Sequence, residues 1–208
     1  MRRINKGVEP PEWKAHRNTE GAVYEAIPEL RESLIREQGY LCAYCMRRIT
    51  ISDGTNIEKT RIEHILSREN HPEQQLSYLN MVLCCDGKIN SSEHCDVLKK
   101  SHDLSFDLFS EPFFNTLSYQ SKDGLIRSSN QTYNNELNRI LNLNHSLLKA
   151  NRHSALNGVI LSLNKKGWTR ANITKQLENW DLKDSDGKYK AYSGIVTWYL
   201  RKKLRQFP

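Results

Sequence analysis

The sequence predicts an α+β protein: a small strand-bearing region built around cysteines, followed by a mostly α-helical C-terminal region. All five cysteines lie between positions 42 and 95. Polar and β-branched residues alternate on both sides of Asp53-Gly54, the pattern of two short strands joined by a tight turn. Beyond residue 133 apolar residues recur at helical spacing instead.

Taken in order, the first 26 residues are polar, and Pro10 and Pro11 interrupt regular structure. Ile27, Leu30, Leu34 and Ile35 mark a short helix, with Pro28 in its first turn and Gly39 just past its end. That helix feeds into "LCAYC" at 41–45, and "RRITIS-DG-TNIEKTRIEHI" follows as the strand pair. "LSYLNMVLCC" is an apolar run that fits either helix or strand, and "DGKINSSEHC" reads as loop. "LSYQSKDGLIRS" predicts a second hairpin at Asp123-Gly124. Leu137, Ile140, Leu141, Leu147 and Leu148 form one helical stripe, and Leu156, Val159, Ile160 and Leu163 the next. Thr169 is placed to cap a helix carrying Ile173, Leu177 and Trp180, and Ser193 to cap a last helix, "GIVTWYLRKKLRQ". These stripes read as core packing. The expected organisation is a segment 1–26 suited to a partner, a cysteine-bearing domain over 27–105, and a hairpin plus helical region over 106–208.

With 208 residues and 38% hydrophobic content the chain can bury one sizeable core or two small lobes. A net charge of +7 favours an anionic partner, most often nucleic acid. "MRRINKGVEPPEWKAHR" is basic but has no apolar stretch, so it does not read as a secretory signal. No apolar run approaches the roughly 18–20 residues that span a bilayer. The expectation is a cytoplasmic protein with no membrane partner, in which thiols stay reduced. Five cysteines also fit poorly with a closed disulfide framework.

Cys42 and Cys45 have two residues between them, and Cys84, Cys85 and Cys95 follow some 40 residues on. Two such segments can supply four thiolates to a tetrahedral Zn2+. The second set is irregular, with nine residues between Cys85 and Cys95. A redox pair would need the thioredoxin-like βαβ context, which the pattern lacks. Between the cysteine groups lies "RIEHIL". A carboxylate such as Glu63 can hold a divalent cation while an imidazole such as His64 takes a proton from water. The dipeptide alone is commonplace, and its weight comes from Asn80, the cysteines, His94 and Lys99 around it.

The order C-x-x-C, Glu-His, Asn, Cys, then Cys-x-x-x-Lys resembles the zinc-supported HNH endonucleases, whose ββα-metal core is a two-stranded hairpin and a helix around one divalent ion. Cys42 and Cys45 match the family's first zinc pair, Glu63-His64 its acidic residue and histidine, Asn80 its asparagine and Cys85 its third zinc cysteine. "CDVLK", Cys95 to Lys99, matches its last cysteine and helix start. Ser67 stands where the family usually has Pro, and Asp96 where it has His or Asn. Asp96 and His94 are therefore both candidates for the second ligand of the catalytic ion, and Cys84 competes with Cys85 for zinc. Beyond the motif, "INKGVEPPEW", "LNMVLCCDGKINSSEHC", "LNLNHSLL" and "YSGIVTWYLRKKL" resemble the PtuB-type nuclease subunits of Septu anti-phage systems, including retron-associated copies.

The resemblance implies an ABC-type ATPase subunit (PtuA-like) as partner, with a retron reverse transcriptase and its nucleic acid in the retron-associated case. It implies phosphodiester hydrolysis of DNA or RNA. His64 would be the general base and Asn80 the brace of its loop. Mg2+ or Mn2+ would sit on Glu63 plus Asp96 or His94. Structural zinc on Cys42, Cys45, Cys85 and Cys95 would hold the hairpin against its helix. Arg47, Arg48, Arg61, Arg68 and Lys99 flank these segments and are candidates for nucleic-acid phosphate contacts. The 201–205 run, "RKKLR", suits a helix C-terminus, nucleic acid or a partner. The rival expectation is a non-catalytic zinc module that binds nucleic acid or protein.

Overall fold

The computed structural model describes residues 1–50 and 60–207. Two short helices open it, α1 (Pro11–Arg17) and α2 (Pro28–Glu37). Each begins on proline, whose missing N–H costs nothing in a first turn. The expected turn at Asp53-Gly54 lies outside the described residues. The strand after it, β1 (Arg61–His64), pairs antiparallel with β2 (Met81–Cys84), so that Arg61 faces Cys84 and His64 faces Met81. The strand expected to pair across Asp53-Gly54 thus finds its described partner 20 residues downstream. The reason is burial: every residue of β2 is buried, and α2 packs against it. This settles "LSYLNMVLCC" as a 3-10 turn, Tyr78–Asn80, running into a strand.

The segment expected as loop holds a two-residue ladder, β3 (Lys88–Ile89) and β4 (Ser92–Glu93), closed through Asn90 at φ 54°. A short helix, α3 (Cys95–Lys99), follows. Next come α4 (Glu111–Asn115) and the second hairpin, β5 (Leu117–Tyr119) with β6 (Ile126–Ser128), as the sequence predicts.

The helical region contains α5 (Gln131–Asn135), α6 (Ser146–Lys166), α7 (Arg170–Asp181) and α8 (Ser193–Leu204). Two expectations are corrected here. The 137–148 stripe is not one helix. A π-helical turn, Glu136–Ile140, ends at a break where Asn142 has φ 48°. Leu147, beyond the break, is 46% exposed. The break is held by the cysteine region: Cys95 N–H donates to Leu141 O at 2.9 Å, and Asn142 Nδ2 donates to Glu93 O at 3.0 Å. Thr169 does cap α7, accepting from Asn172 N at 3.2 Å. Ser193 caps nothing; the residue before α8 is Tyr192, at φ 58°.

One buried cluster runs from Met1, Trp13 and Leu34 through Leu83 and Phe113 to Leu156 and Leu200, across all three regions that composition had separated. Among the described residues no helix is long and apolar enough to cross a membrane.

Gly124, in the second hairpin, has φ +76°, and a Cβ there would lie 2.2 Å from Lys149 O. Gly124→Ala is expected to cost about 1–3 kcal/mol, read as a fall of several degrees in Tm by calorimetry. An unchanged Tm would mean that this hairpin does not sit against α6.

Candidate functional site

Cys42 and Cys45 are presented by a tight loop. Leu41 bridges Arg48, Cys42 N donates to Arg47 O at 3.0 Å, and Met46 N reaches back to Cys42 O at 3.1 Å. Met46 sits at φ 63° to close the turn. Ala43 N donates to Leu83 O at 3.1 Å, tying the loop to β2. Gln38 completes the joint: its amide donates to Leu41 O at 2.8 Å and Leu83 O at 2.7 Å, and accepts from Leu83 N at 2.6 Å. Cys85 follows β2 directly, and Cys95 opens α3.

The four sulfurs of Cys42, Cys45, Cys85 and Cys95 lie within 4.8 Å of one another, all buried. Cys42 Sγ is 3.9 Å from Cys95 Sγ, and Cys45 Sγ is 3.8 Å from Cys85 Sγ. A disulfide needs about 2.05 Å. A tetrahedral zinc with Zn–S near 2.3 Å places its sulfurs about 3.8 Å apart. The donor set therefore fits a metal ion such as zinc. Burial alone would raise the Cys42 thiol, yet hydrogen bonds from the other cysteines hold it well below its ordinary range. Burial pushes Cys45 and Cys95 well up. A bound dication would hold all four as thiolates. Cys84 is fully buried but outside this group, so the choice between Cys84 and Cys85 falls to Cys85.

His94 belongs to the cysteine side. Its Nδ1 is 3.0 Å from Cys95 Sγ, the residue is fully buried, and Nε2 has no partner among the described residues. It does not line the cleft in which Glu63 lies. This corrects the expectation that made it an alternative to Asp96: as the residue before α3 it points into the cysteine cluster.

That cleft holds about 310 Å3 and is walled by Arg61, Glu63, His64, Ser67, Arg68 and Asp96. Glu63 Oε1 accepts from Lys99 Nζ at 2.8 Å and from Tyr44 Oη at 3.1 Å. Burial, with Asp96 beside it, pushes the Glu63 carboxyl up to about 8 although Lys99 opposes the shift. Asp96 Oδ2 accepts from Arg61 Nε. The Glu63 carboxyl, when protonated, also donates a side-chain hydrogen bond to Asp96. His64 Nε2 lies 3.0 Å from Gln75 O, and the imidazole stands edge-on to Tyr24 with ring centroids 4.6 Å apart. Burial lowers the His64 pKa, which keeps the ring neutral near pH 7.

Asn80 spans the loop behind His64. Its Oδ1 accepts from Leu66 N at 2.8 Å, and its Nδ2 donates to Leu66 O at 2.9 Å and to Gln74 O at 3.3 Å. Ser67, standing where a proline was expected, is fixed instead by Asp103, which accepts from Ser67 N at 2.9 Å.

The five basic candidates separate. Arg68 is exposed and lies over the Tyr24 ring at 4.5 Å, and Arg61 is exposed beside Asp96. Arg47 pairs with Asp86 at 3.1 Å, outside the cleft lining. Arg48 is spent on the backbone carbonyls of Gly39, Tyr40 and Tyr189, which corrects its expected phosphate role. Lys99 is corrected too: it is 1% exposed, its ammonium shared between Glu63 and His64 O. A cation one helical turn from Asp96 is drawn inward by the buried carboxylate that sequence spacing cannot place. Tyr24 and Tyr44 were missed. Tyr44 carried a signal, lying inside the C-x-x-C loop; Tyr24 carried none.

No protein-family model matches the chain, and no curated protein matches it.

The purified protein is expected to carry one tightly bound zinc per chain by mass spectrometric metal analysis. Structural zinc contributes on the order of 10 kcal/mol to small sites, so Cys42→Ser should lose the metal and unfold at lower temperature. A metal-free protein with undiminished Tm would contradict the assignment.

Proposed function

We propose that the chain is a divalent-metal-dependent endonuclease of the HNH type, acting as the nuclease effector of an anti-phage defence complex in the cytoplasm. One observation carries the chemical half. A hairpin and a short helix, β1, β2 and α3, bring Glu63, His64 and Asp96 to one cleft while Asn80 ties the loop behind them. The motif resemblance implies a ββα core with its residues in this order, and the shared cleft supports that reading, with the cysteines suited to staple it.

The donor set suits a hard cation. Asp96 raises the Glu63 carboxyl beside it, and a positive charge taking the place of the proton shared between the two carboxylates would relieve that repulsion. Mg2+ or Mn2+ held there would neutralise charge on the phosphate and on the departing oxygen. The protein's own groups do the remaining work. His64 Nε2 carries its proton toward Gln75 O, which leaves Nδ1 with the lone pair. A water attacks phosphorus in line, its proton passes to Nδ1, and the opposite P–O bond breaks, its oxygen taking a proton from solvent. Asn80 holds the loop and so the ring orientation. Arg61 and Arg68 position the strand through phosphate.

The defence role, the ABC-type ATPase partner and the retron association rest on the whole-chain resemblance to Septu nuclease subunits. A zinc module that binds without cutting is the alternative reading, favoured by the ammonium and hydroxyl that already occupy Glu63 Oε1.

The chain, alone and with its ATPase subunit, should cut single- or double-stranded DNA or RNA only when Mg2+ or Mn2+ is added. His64→Ala should lose on the order of 10²–10⁴-fold in rate while keeping the folded circular-dichroism spectrum of the parent at the assay temperature. Cleavage by that variant at the parent rate would refute the mechanism. Salt-sensitive binding without any cutting would favour the non-catalytic module.

A further inference from the structure

A second pocket, sharing no residue with the Glu63–Asp96 cleft, opens between the N-terminal segment, the α4–β5 corner and α8. It holds about 690 Å3, within the roughly 300–1,000 Å3 of small-molecule sites. Four arginines line it: Arg2, Arg3, Arg201 and Arg205. Only two carboxylates, Asp181 and Glu111, face them from the same wall. Asp181 takes Arg2 at 3.0 Å and Arg201 at 2.6 Å, and Glu111 takes Arg3 at 3.0 Å. Four guanidinium groups less two carboxylates leaves two positive charges uncompensated. Arg205 has no ion pair among the described residues; its one side-chain hydrogen bond among them runs from Nε to Arg201 O at 3.4 Å.

The rest of the lining is chemically specific. Phe114 and Trp198 are half-buried aromatic rings on the wall; Trp198 meets Tyr119 edge-on at 5.9 Å between centroids and carries Lys202 Nζ over its ring at 5.4 Å. Asn5 and Asn115 also line the pocket, both exposed. Guanidinium forks match phosphate oxygens bidentately. Aromatic faces stack on nucleobases irrespective of sequence. Carboxamides, carrying donor and acceptor together, match base edges. A neutral sugar could stack on the rings but would leave the arginine charge unpaired, and a small aliphatic carboxylate would use the arginines and leave the rings idle. An uncharged aliphatic ligand would leave the charge unpaired.

We propose that this pocket binds a nucleoside phosphate, its phosphate on Arg3 and Arg205 and its base against Trp198 or Phe114. Two sources present that chemistry, a free mononucleotide and the 5′-phosphorylated end of a nucleic-acid strand. The proposal does not depend on the nuclease reading, since the two sites share no side chain and binding needs no divalent ion.

Titration calorimetry without added divalent metal tests it on the full chain, with AMP, a 5′-phosphorylated oligonucleotide, the same oligonucleotide lacking the phosphate, and inorganic phosphate. Saturable binding of AMP, or of the phosphorylated strand in clear preference to the unphosphorylated one, is expected. AMP alone would mark a free nucleotide as the ligand, and the phosphorylated strand alone a strand end. Arg205→Ala, an exposed residue whose loss leaves the core intact, should weaken binding about tenfold or more, and Arg3→Ala similarly. Trp198→Ala should weaken AMP but not inorganic phosphate. The proposal fails if neither AMP nor the phosphorylated strand binds, if both arginine variants keep parent affinity, or if inorganic phosphate binds as tightly as AMP.

Discussion

The convergence of four thiols from three short segments is the constraint on which the cleft depends. Cys42 and Cys45 come from a loop, Cys85 from the end of β2 and Cys95 from the start of α3. None of these pieces is stable alone. β1 and β2 are four residues each and α3 is five, and a lone two-stranded hairpin or a single helical turn is marginal in water. Sulfur separations near 3.8 Å suit a metal at the centre, and a metal there would fix α3 against β2. That in turn places Asp96 of α3 opposite Glu63 of β1.

Around this clamp the polar side chains replace backbone ladders where the strands run out. Gln38 pairs with Leu83 as another strand would, and its remaining donor holds Leu41. Asn80 does the same for Leu66 and Gln74. Lys99 supplies charge from beneath, binding Glu63 and the backbone of His64 together. Each is buried with its hydrogen bonds satisfied, which is the condition under which buried polar groups specify one arrangement. Lys6 of the first segment joins this architecture, pairing with Glu37 at 2.5 Å and donating to Met81 O at 3.0 Å.

What the sequence revealed follows how local each signal is. The helix at 28–37, the hairpin at Asp123-Gly124 and the Thr169 cap rest on neighbouring residues, and all three appear as expected. The β1–β2 pairing does not, since its partners are 17 to 23 residues apart and β2 is apolar on both faces, which erases the alternation of a half-buried strand. The break at Asn142 was hidden for a related reason: tertiary hydrogen bonds to Glu93 and Cys95 interrupt an apolar period that would otherwise continue as helix. In the site, the cysteine group and the bracing contacts of Asn80 were legible from motif order. The directions of His94, Arg48 and Lys99 were not, because which way a side chain turns depends on the carboxylates, carbonyls and sulfurs that folding brings near.

The clamp itself is tested most directly by zinc K-edge X-ray absorption on the purified protein. A tetrahedral site on Cys42, Cys45, Cys85 and Cys95 predicts a single shell of four sulfur scatterers at about 2.3 Å. His94, with its Nδ1 beside Cys95 Sγ, is the nearest competitor. A mixed nitrogen and sulfur shell, or a folded protein without zinc, would contradict the account.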